Sequence, residues 1–146
     1  MKLSTKGRYG ARASLELALR YGSGPVMVKE IAASQDISER YLEHILNALR
    51  AAGIVKSTRG ARGGYELSKD PSDITLGNIV RTLEGPLDIV PCSVSVGCPK
   101  ISQCVMFGIW NEVKSSIDDI IDGITLREMV DRHYQLQNKN VLEYVI

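Results

Sequence analysis

Ser38-Glu39-Arg40-Tyr41-Leu42-Glu43-His44-Ile45-Leu46-Asn47-Ala48-Leu49-Arg50-Ala51-Ala52-Gly53 is the stretch that decides the fold. Ser38 is a good helix N-cap, Leu42, Ile45, Leu46 and Leu49 fall on one face at i, i+3, i+4 and i+7, and Gly53 supplies a stop. The opposite face carries Arg40, Glu43, His44 and Asn47. Just upstream, Val28 to Gln35 reads as a short helix with Val28, Ile31 and Ala32 inward, and Asp36 and Ile37 make a tight turn. A short helix, a turn and an amphipathic helix with a polar outer face form the helix-turn-helix pattern. That pattern alone also fits an ordinary helical hairpin.

The flanking segments narrow the choice. Ile54 to Thr58 is β-rich, Arg59-Gly60-Ala61-Arg62-Gly63-Gly64 is a basic turn, and Tyr65-Glu66-Leu67 is a second short strand, so a hairpin wing is expected over residues 54–67. Three glycines let the turn approach a phosphate or groove closely, and Arg59 and Arg62 supply the charge. A plain surface hairpin is the bland alternative. Upstream, from Met1 to Tyr21, Ser4 and Thr5 are candidate caps for a first helix of about four turns. Its apolar stripe runs through Tyr9, Ala13, Leu17 and Ala18, and Gly22, Gly24 and Pro25 end it. Lys2, Lys6, Arg8 and Arg12 crowd its start, where the helix dipole does not favour cations, so an external anion is the expected partner.

Charge is divided along the chain in the same sense. The 146 residues carry a net charge of only +1, but residues 1–70 hold twelve Lys+Arg against seven Asp+Glu, and residues 71–146 hold six against ten. The first half is therefore the polyanion-facing half, unless its charge is scattered over a solvated surface. Neither a signal peptide nor an apolar run of membrane-spanning length is present in the sequence, which points to the cytoplasm, where thiols stay reduced.

In the second half, Thr75 is placed to cap a helix with Leu76, Ile79, Val80 and Leu83 inward, which Gly85 and Pro86 terminate. Val105 to Asp122 reads as the longest helix, with Met106, Ile109, Val113, Ile117 and Ile120 in a stripe that suits either a dimer seam or packing within its own subunit. Thr125 to Tyr134 reads as a short closing helix and residues 135–146 as a tail. Between the Thr75 helix and the long helix lies Pro91-Cys92-Ser93-Val94-Ser95-Val96-Gly97-Cys98-Pro99-Lys100-Ile101-Ser102-Gln103-Cys104, which holds every cysteine of the chain at five-residue intervals. Pro91, Gly97 and Pro99 exclude regular structure there. An odd number of soft thiol donors on one loop fits a metal or redox centre better than a disulfide framework.

Leu3-Ser4-Thr5-Lys6-Gly7-Arg8-Tyr9, Ile37 to Glu43, Arg59 to Tyr65 and the three evenly spaced cysteines together resemble the IscR and NsrR type of winged helix-turn-helix regulator, from about Met1 to Tyr134. The resemblance implies a mostly α fold with a small β-hairpin. A winged helix-turn-helix unit spans 1–72, with its helix-turn-helix at 28–52, and a cluster loop with dimerisation helices spans 73–134. It further implies a bacterial homodimer on double-stranded, pseudo-palindromic promoter DNA, with one iron-sulfur cluster per subunit, [2Fe-2S] or [4Fe-4S], whose redox, iron or nitric oxide response sets affinity. Carried residue by residue, it assigns Cys92, Cys98 and Cys104 as cluster ligands, Ser38, Arg40, Tyr41, Glu43 and His44 to the major groove and Arg59 to the minor groove, with Arg62 beside it. Side-chain chemistry agrees in kind: Arg40 can read guanine, Glu43 can accept from cytosine, and an arginine is drawn to a narrow minor groove.

This sequence departs from the pattern at the fourth ligand. Phe107 stands where the IscR-like pattern has a histidine three residues after the last cysteine, and Arg8 stands where the NsrR-like pattern has an acidic residue. His133 and the acidic residues between Asp118 and Asp122 are the remaining candidates in the chain. Two other functions compete: a DNA-binding regulator whose cysteines form a thiol switch or hold zinc, and an iron-sulfur electron carrier. No nucleotide-binding glycine loop, nucleophile elbow or paired-histidine site supports an enzyme.

Overall fold

The computed structural model describes residues 2–93 and 98–144, so Met1, Gly97 of the cysteine loop and the terminal Val145 and Ile146 lie outside the described residues. Ser4, rather than Thr5, caps the first helix, α1 (Thr5–Leu19), its Oγ accepting from the amides of Lys6 and Gly7. Helix α2 (Val28–Gln35) ends where Asp36 takes a left-handed conformation, φ 53°, and the Ile37 amide bonds back to the Ala32 carbonyl. That single left-handed residue makes the turn tight enough for Ser38 to start α3 (Glu39–Ala51) at once. Helices α2 and α3 thus follow one another across a three-residue turn, Asp36 to Ser38.

Leu42, Ile45, Leu46 and Leu49 of α3 are fully buried and form one core cluster with Ala13 and Leu17 of α1 and Ile31 of α2. The wing follows as β1 (Val55–Thr58) and β2 (Gly64–Leu67), paired antiparallel with Ser57 opposite Tyr65. Tyr65 also exchanges both backbone hydrogen bonds with Val26, at 2.8 Å each, which ties the wing to the link between α1 and α2. A Cβ at Gly64 would collide with the Val26 carbonyl, so only glycine allows this bridge.

Helix α4 (Leu76–Glu84) begins at a reciprocal cap between Thr75 and Asn78 and buries Ile79, Val80 and Leu83. Two single 3₁₀ turns, Pro91–Ser93 and Ile101–Gln103, lie in the cysteine segment, where the sequence reading expects no regular structure. They bring the chain to α5 (Val105–Gly123), whose N-cap residue is Cys104. The last helix, α6 (Leu126–Tyr144), runs ten residues past the expected stop at Tyr134. No glycine or proline follows Leu126, so the polar composition of Gln135 to Asn140 is a solvated helix face rather than a break. Leu126 and Val130 return to the core cluster, and the Leu126 amide donates to the Ile74 carbonyl while the Leu76 amide donates to Ile124. Among the described residues no helix is long and apolar enough to cross a membrane.

Helix α5 is held to the body through charge. Arg81 of α4 donates to Asp118 at 3.1 Å and to Asp122, and Lys114 donates to Asp118 at 2.6 Å. Gly77 leaves room for the Asp122 carboxylate, which a Cβ would strike. No residue of α5 is buried, and Ile109, Val113 and Ile120 stand 42%, 40% and 62% exposed. The Lys114 hydrogen bond, with Arg81 adding to it, holds the Asp118 carboxyl below its ordinary value of 3.8. A carboxylate lowered in this way stabilises the folded chain above pH 3.8, and that contribution disappears as pH falls through the native value. Asp118→Asn should therefore flatten the loss of thermal stability on acidification below about pH 4, read as a smaller fall in Tm between pH 5 and pH 2 than in the wild type.

Candidate nucleic-acid interface and cysteine loop

The sequence-selected residues of α3 fall into two kinds. Arg40, Glu43 and His44 are exposed, and with Ser38 and Tyr41, Arg40 and His44 line a shallow depression of about 310 Å³ at the start of the helix. Ser38 Oγ accepts from the Tyr41 amide at 3.4 Å, so one lone pair serves the cap while its O–H remains free to donate outward. Tyr41 is half-buried and packs edge-on against Tyr9 of α1, ring centroids 6.1 Å apart. Arg12 lies over the Tyr9 ring at 5.4 Å and donates to Gln35 of α2 at 3.1 Å. Tyr41 is thus a tie between α1 and α3 as well as a neighbour of the outer face.

The wing is fixed to that helix by side chains that the sequence reading did not select. Tyr65 Oη donates to Asn47 Oδ1 at 3.2 Å, and Arg50 donates to Ser57 Oγ at 3.1 Å. The signal available for them was their spacing, since Asn47 and Arg50 stand one helical turn apart on the side facing the hairpin. Arg59 and Arg62 at the wing tip are exposed, and among the described residues neither they nor Arg40 belongs to an ion pair. Unneutralised arginines on two adjoining projections suit a polyanion.

The turn that presents Arg59 and Arg62 closes through the Gly63 amide, which donates to the Gly60 carbonyl at 3.0 Å, and Gly60 has φ 112°. A second, polar groove of about 540 Å³ lies at the junction of Ala52 to Ile54, Lys69, Asp73 and α4, on residues apart from this surface.

Cys92 and Cys98 are half-buried and Cys104 is exposed, and all three are free thiols. Cys92 lies in the 3₁₀ turn that packs on α5, and Cys104 is the N-cap residue of α5, so two of the three adjoin that helix directly. Among the described residues no three His, Cys, Asp or Glu side chains converge as a metal group, with residues 94–97 outside that set. The donor chemistry fits an iron-sulfur cluster, since three thiols supply three of its usual four protein ligands. Phe107 and Arg8 offer no fourth. Asp118 and Asp122 are engaged by Arg81, and His133 on α6 is half-buried with its Nε2 3.0 Å from the Gln137 amide nitrogen.

Residues 3–132 match the Rrf2 family, described as an iron-dependent transcriptional regulator. The chain belongs to the Rrf2 family. Two curated regulators are similar to it: CymR of Bacillus subtilis, 41% identical over 129 residues (88% of this chain and 89% of that one), and IscR of Aliivibrio salmonicida, 39% identical over 136 residues (92% and 81%). Among solved structures, T. potens IscR aligns with TM-score 0.78 at 43% identity, covering 94% of this chain and 91% of its own. The structure of B. subtilis CymR, called there the global cysteine regulator, aligns with TM-score 0.73 at 41% identity, covering 90% and 98%. The Rrf2 assignment makes the protein a transcriptional regulator with a winged-helix fold, as its helices and two-stranded hairpin show.

A methyl group at position 63 of this Rrf2 regulator would collide with the Thr58 carbonyl and lie 3.0 Å from Gly60 O. Gly63→Ala should open the wing tip by roughly 0.5–3 kcal/mol while leaving the core intact. Tryptic cleavage after Arg59 and Arg62 should accelerate, with Tm within about 2–4 °C of the wild type.

Proposed function

We propose that the protein is a homodimeric, cytoplasmic regulator that binds pseudo-palindromic promoter DNA and whose affinity is controlled by an iron-sulfur cluster held by Cys92, Cys98 and Cys104. The observation that carries this reading is the position of the three thiols, in the segment joining α4 to α5, with Cys104 as the N-cap residue of α5. Residues 1–72 serve as the DNA-binding unit and 73–134 as the sensing and dimerising part.

Ser38, Arg40, Glu43 and His44 would face base edges in the major groove, while Arg59 and Arg62 would lie along the minor groove and its phosphates. The exposed stripe of Met106, Ile109, Val113 and Ile120 would pair with the same stripe of a second copy, which is the self-complementary surface a two-fold dimer needs. Such a pairing sets the two α3 helices to reach half-sites about 34 Å apart. When bound, the cluster supplies reversible electron transfer and reactivity toward oxygen or nitric oxide, and the thiols' part is to hold the loop against the start of α5.

A cluster-free thiol switch is the second reading. It is supported by the free, unconverged cysteines among the described residues and by the similarity to CymR, whose structure is that of a cysteine regulator. The two separate on anaerobically purified protein, which should be brown and contain iron under the first reading only.

Under the cluster reading, anaerobic holo protein should differ from apo protein and from Cys98→Ala in promoter affinity by roughly 5- to 150-fold, corresponding to about 1–3 kcal/mol of coupling. Equal affinities for all three on every promoter tried remove the sensing role. Ile109→Asp, on an exposed position, should give a monomer in sedimentation with its Tm nearly unchanged; an intact dimer would place the seam elsewhere.

A further inference from the structure

Glu84 is the last residue of α4, eight positions before Cys92. Its Oε1 accepts from the Gly7 amide at 2.9 Å and from the hydroxyl of Ser4, the residue that caps α1. The carboxylate therefore completes the N-terminal cap of α1 from another helix, at the positive end of the α1 dipole. Two glycines permit this approach. A Cβ at Gly7 would lie 2.5 Å from Glu84 Oε1, and one at Gly10 would collide with Leu83 Cδ1. Immediately beyond Glu84, Gly85 at φ 82° turns the chain away toward the cysteines.

The other end of this contact reaches the DNA-reading face. Lys6, Arg8, Tyr9 and Arg12 occupy the first turns of α1, and Tyr9 packs on Tyr41 of α3 while Arg12 is bonded to Gln35 of α2. Whatever seats the first turn of α1 also seats Tyr9, and through Tyr9 the start of the recognition helix. A line of direct contacts thus runs from the residue at the root of the cysteine segment to α3.

We propose that Glu84 is the positioning residue through which the cysteine loop acts on the DNA-reading face, by holding or releasing the first turn of α1. This rests on the reading that the loop controls DNA affinity. With Glu84 seated, the Gly7 amide is satisfied and Tyr9 stays on Tyr41. Movement of the segment after Gly85 withdraws the carboxylate, leaves that amide to water, and lets Tyr9 shift. The contact is a two-state element that both the loop and bound DNA would bias, which coupling between distant sites requires.

All three cysteines lie in one segment, so alkylation by iodoacetamide alters that segment alone. The test is the ratio of promoter-duplex affinities of the anaerobically purified full-length protein as isolated and after iron chelation and carbamidomethylation of its thiols. The wild-type ratio should differ from one by at least about fivefold. Glu84→Ala should bring the ratio to about one, and so should Gly7→Ala, which displaces the carboxylate while leaving its chemistry intact. Glu84→Gln keeps the Oε1 acceptor and should keep the ratio within about threefold of the wild type. Arg62→Ala should lower both affinities and leave the ratio unchanged, which marks the behaviour of a residue outside the relay.

Hydrogen exchange over residues 5–9 should quicken on alkylation in the wild type and be fast in both states of Glu84→Ala. A Glu84→Ala ratio equal to the wild-type ratio, with both affinities lowered together, makes the residue a simple helix cap and overturns the relay alone. A wild-type ratio of one, with Arg62→Ala still weakening binding, overturns loop control and the relay with it.

Discussion

The close approach of α1 and α4 is the constraint on which the arrangement depends. Gly7 and Gly10 occupy one face of α1 a helical turn apart, and Ser14, small and fully buried, continues that face. Without a Cβ at 7 and 10, the end of α4 can sit against the α1 backbone, so Leu83 fills the space over Gly10 and Glu84 reaches the amides at the α1 N-terminus. Larger side chains there would push α4 outward and carry with it the start of the cysteine segment and, through Arg81, helix α5. The local weakness of glycine within a helix, about 1 kcal/mol against alanine, is offset by close packing and by amides satisfied from across the interface. Ser14 Oγ is buried and has no hydrogen-bond partner among the described residues, a cost the packing of this face carries.

Charge is used in two separate ways. Arg81, Lys114, Arg127 and Arg132 in the second half all have carboxylate partners, and the Arg81–Asp118–Lys114 set joins α4 to α5. In the first half Arg20 and Lys56 are paired, whereas Lys2, Lys6, Arg40, Arg59 and Arg62 belong to no ion pair among the described residues. Isolated surface pairs contribute about 0–1 kcal/mol each, so the paired set matters as geometry more than as stability. Cations that have no work inside the fold remain available to an anion outside it, and these five lie at the start of the chain and of α1, on α3 and at the wing tip.

The helix-turn-helix and the hairpin were legible because their signals are local. The i, i+3, i+4, i+7 run of Leu42, Ile45, Leu46 and Leu49, the Ser38 cap and the glycine-rich turn each act within a few residues, and each element formed where its signal stood. The end of α6 is not legible from polarity, because Gln135 to Asn140 is polar yet contains no residue that breaks a helix. Glu84 is silent in the sequence for a different reason. Its partners Ser4 and Gly7 are about eighty residues away in sequence, and no short-range pattern marks a carboxylate that caps another helix. The spacing of Gly7, Gly10 and Ser14 was the trace it left, a small-residue face that signals close helix packing without naming the neighbour. The apolar stripe of α5 was legible as a stripe, but a stripe does not state which surface covers it.

The proposed control can be weighed by the ordering it demands. Eleven residues separate Cys92 from Cys104, and fixing that many from a fully free chain costs on the order of 10–20 kcal/mol of backbone entropy. The 3₁₀ turns at either end already settle part of it. A single disulfide restrains a chain by about 2–4 kcal/mol, enough to bias a loop that is mostly ordered by its own turns. Thiolate metal centres bind with apparent energies of about 10–16 kcal/mol in the zinc peptides where this is best known, enough to organise most of the segment. Both act at the same point, because Cys104 caps α5 and any bond drawing Cys92 or Cys98 toward it draws the segment after α4 toward the start of α5. The chemistry at the thiols therefore sets how strongly the loop is held, while the fold sets where that hold is felt.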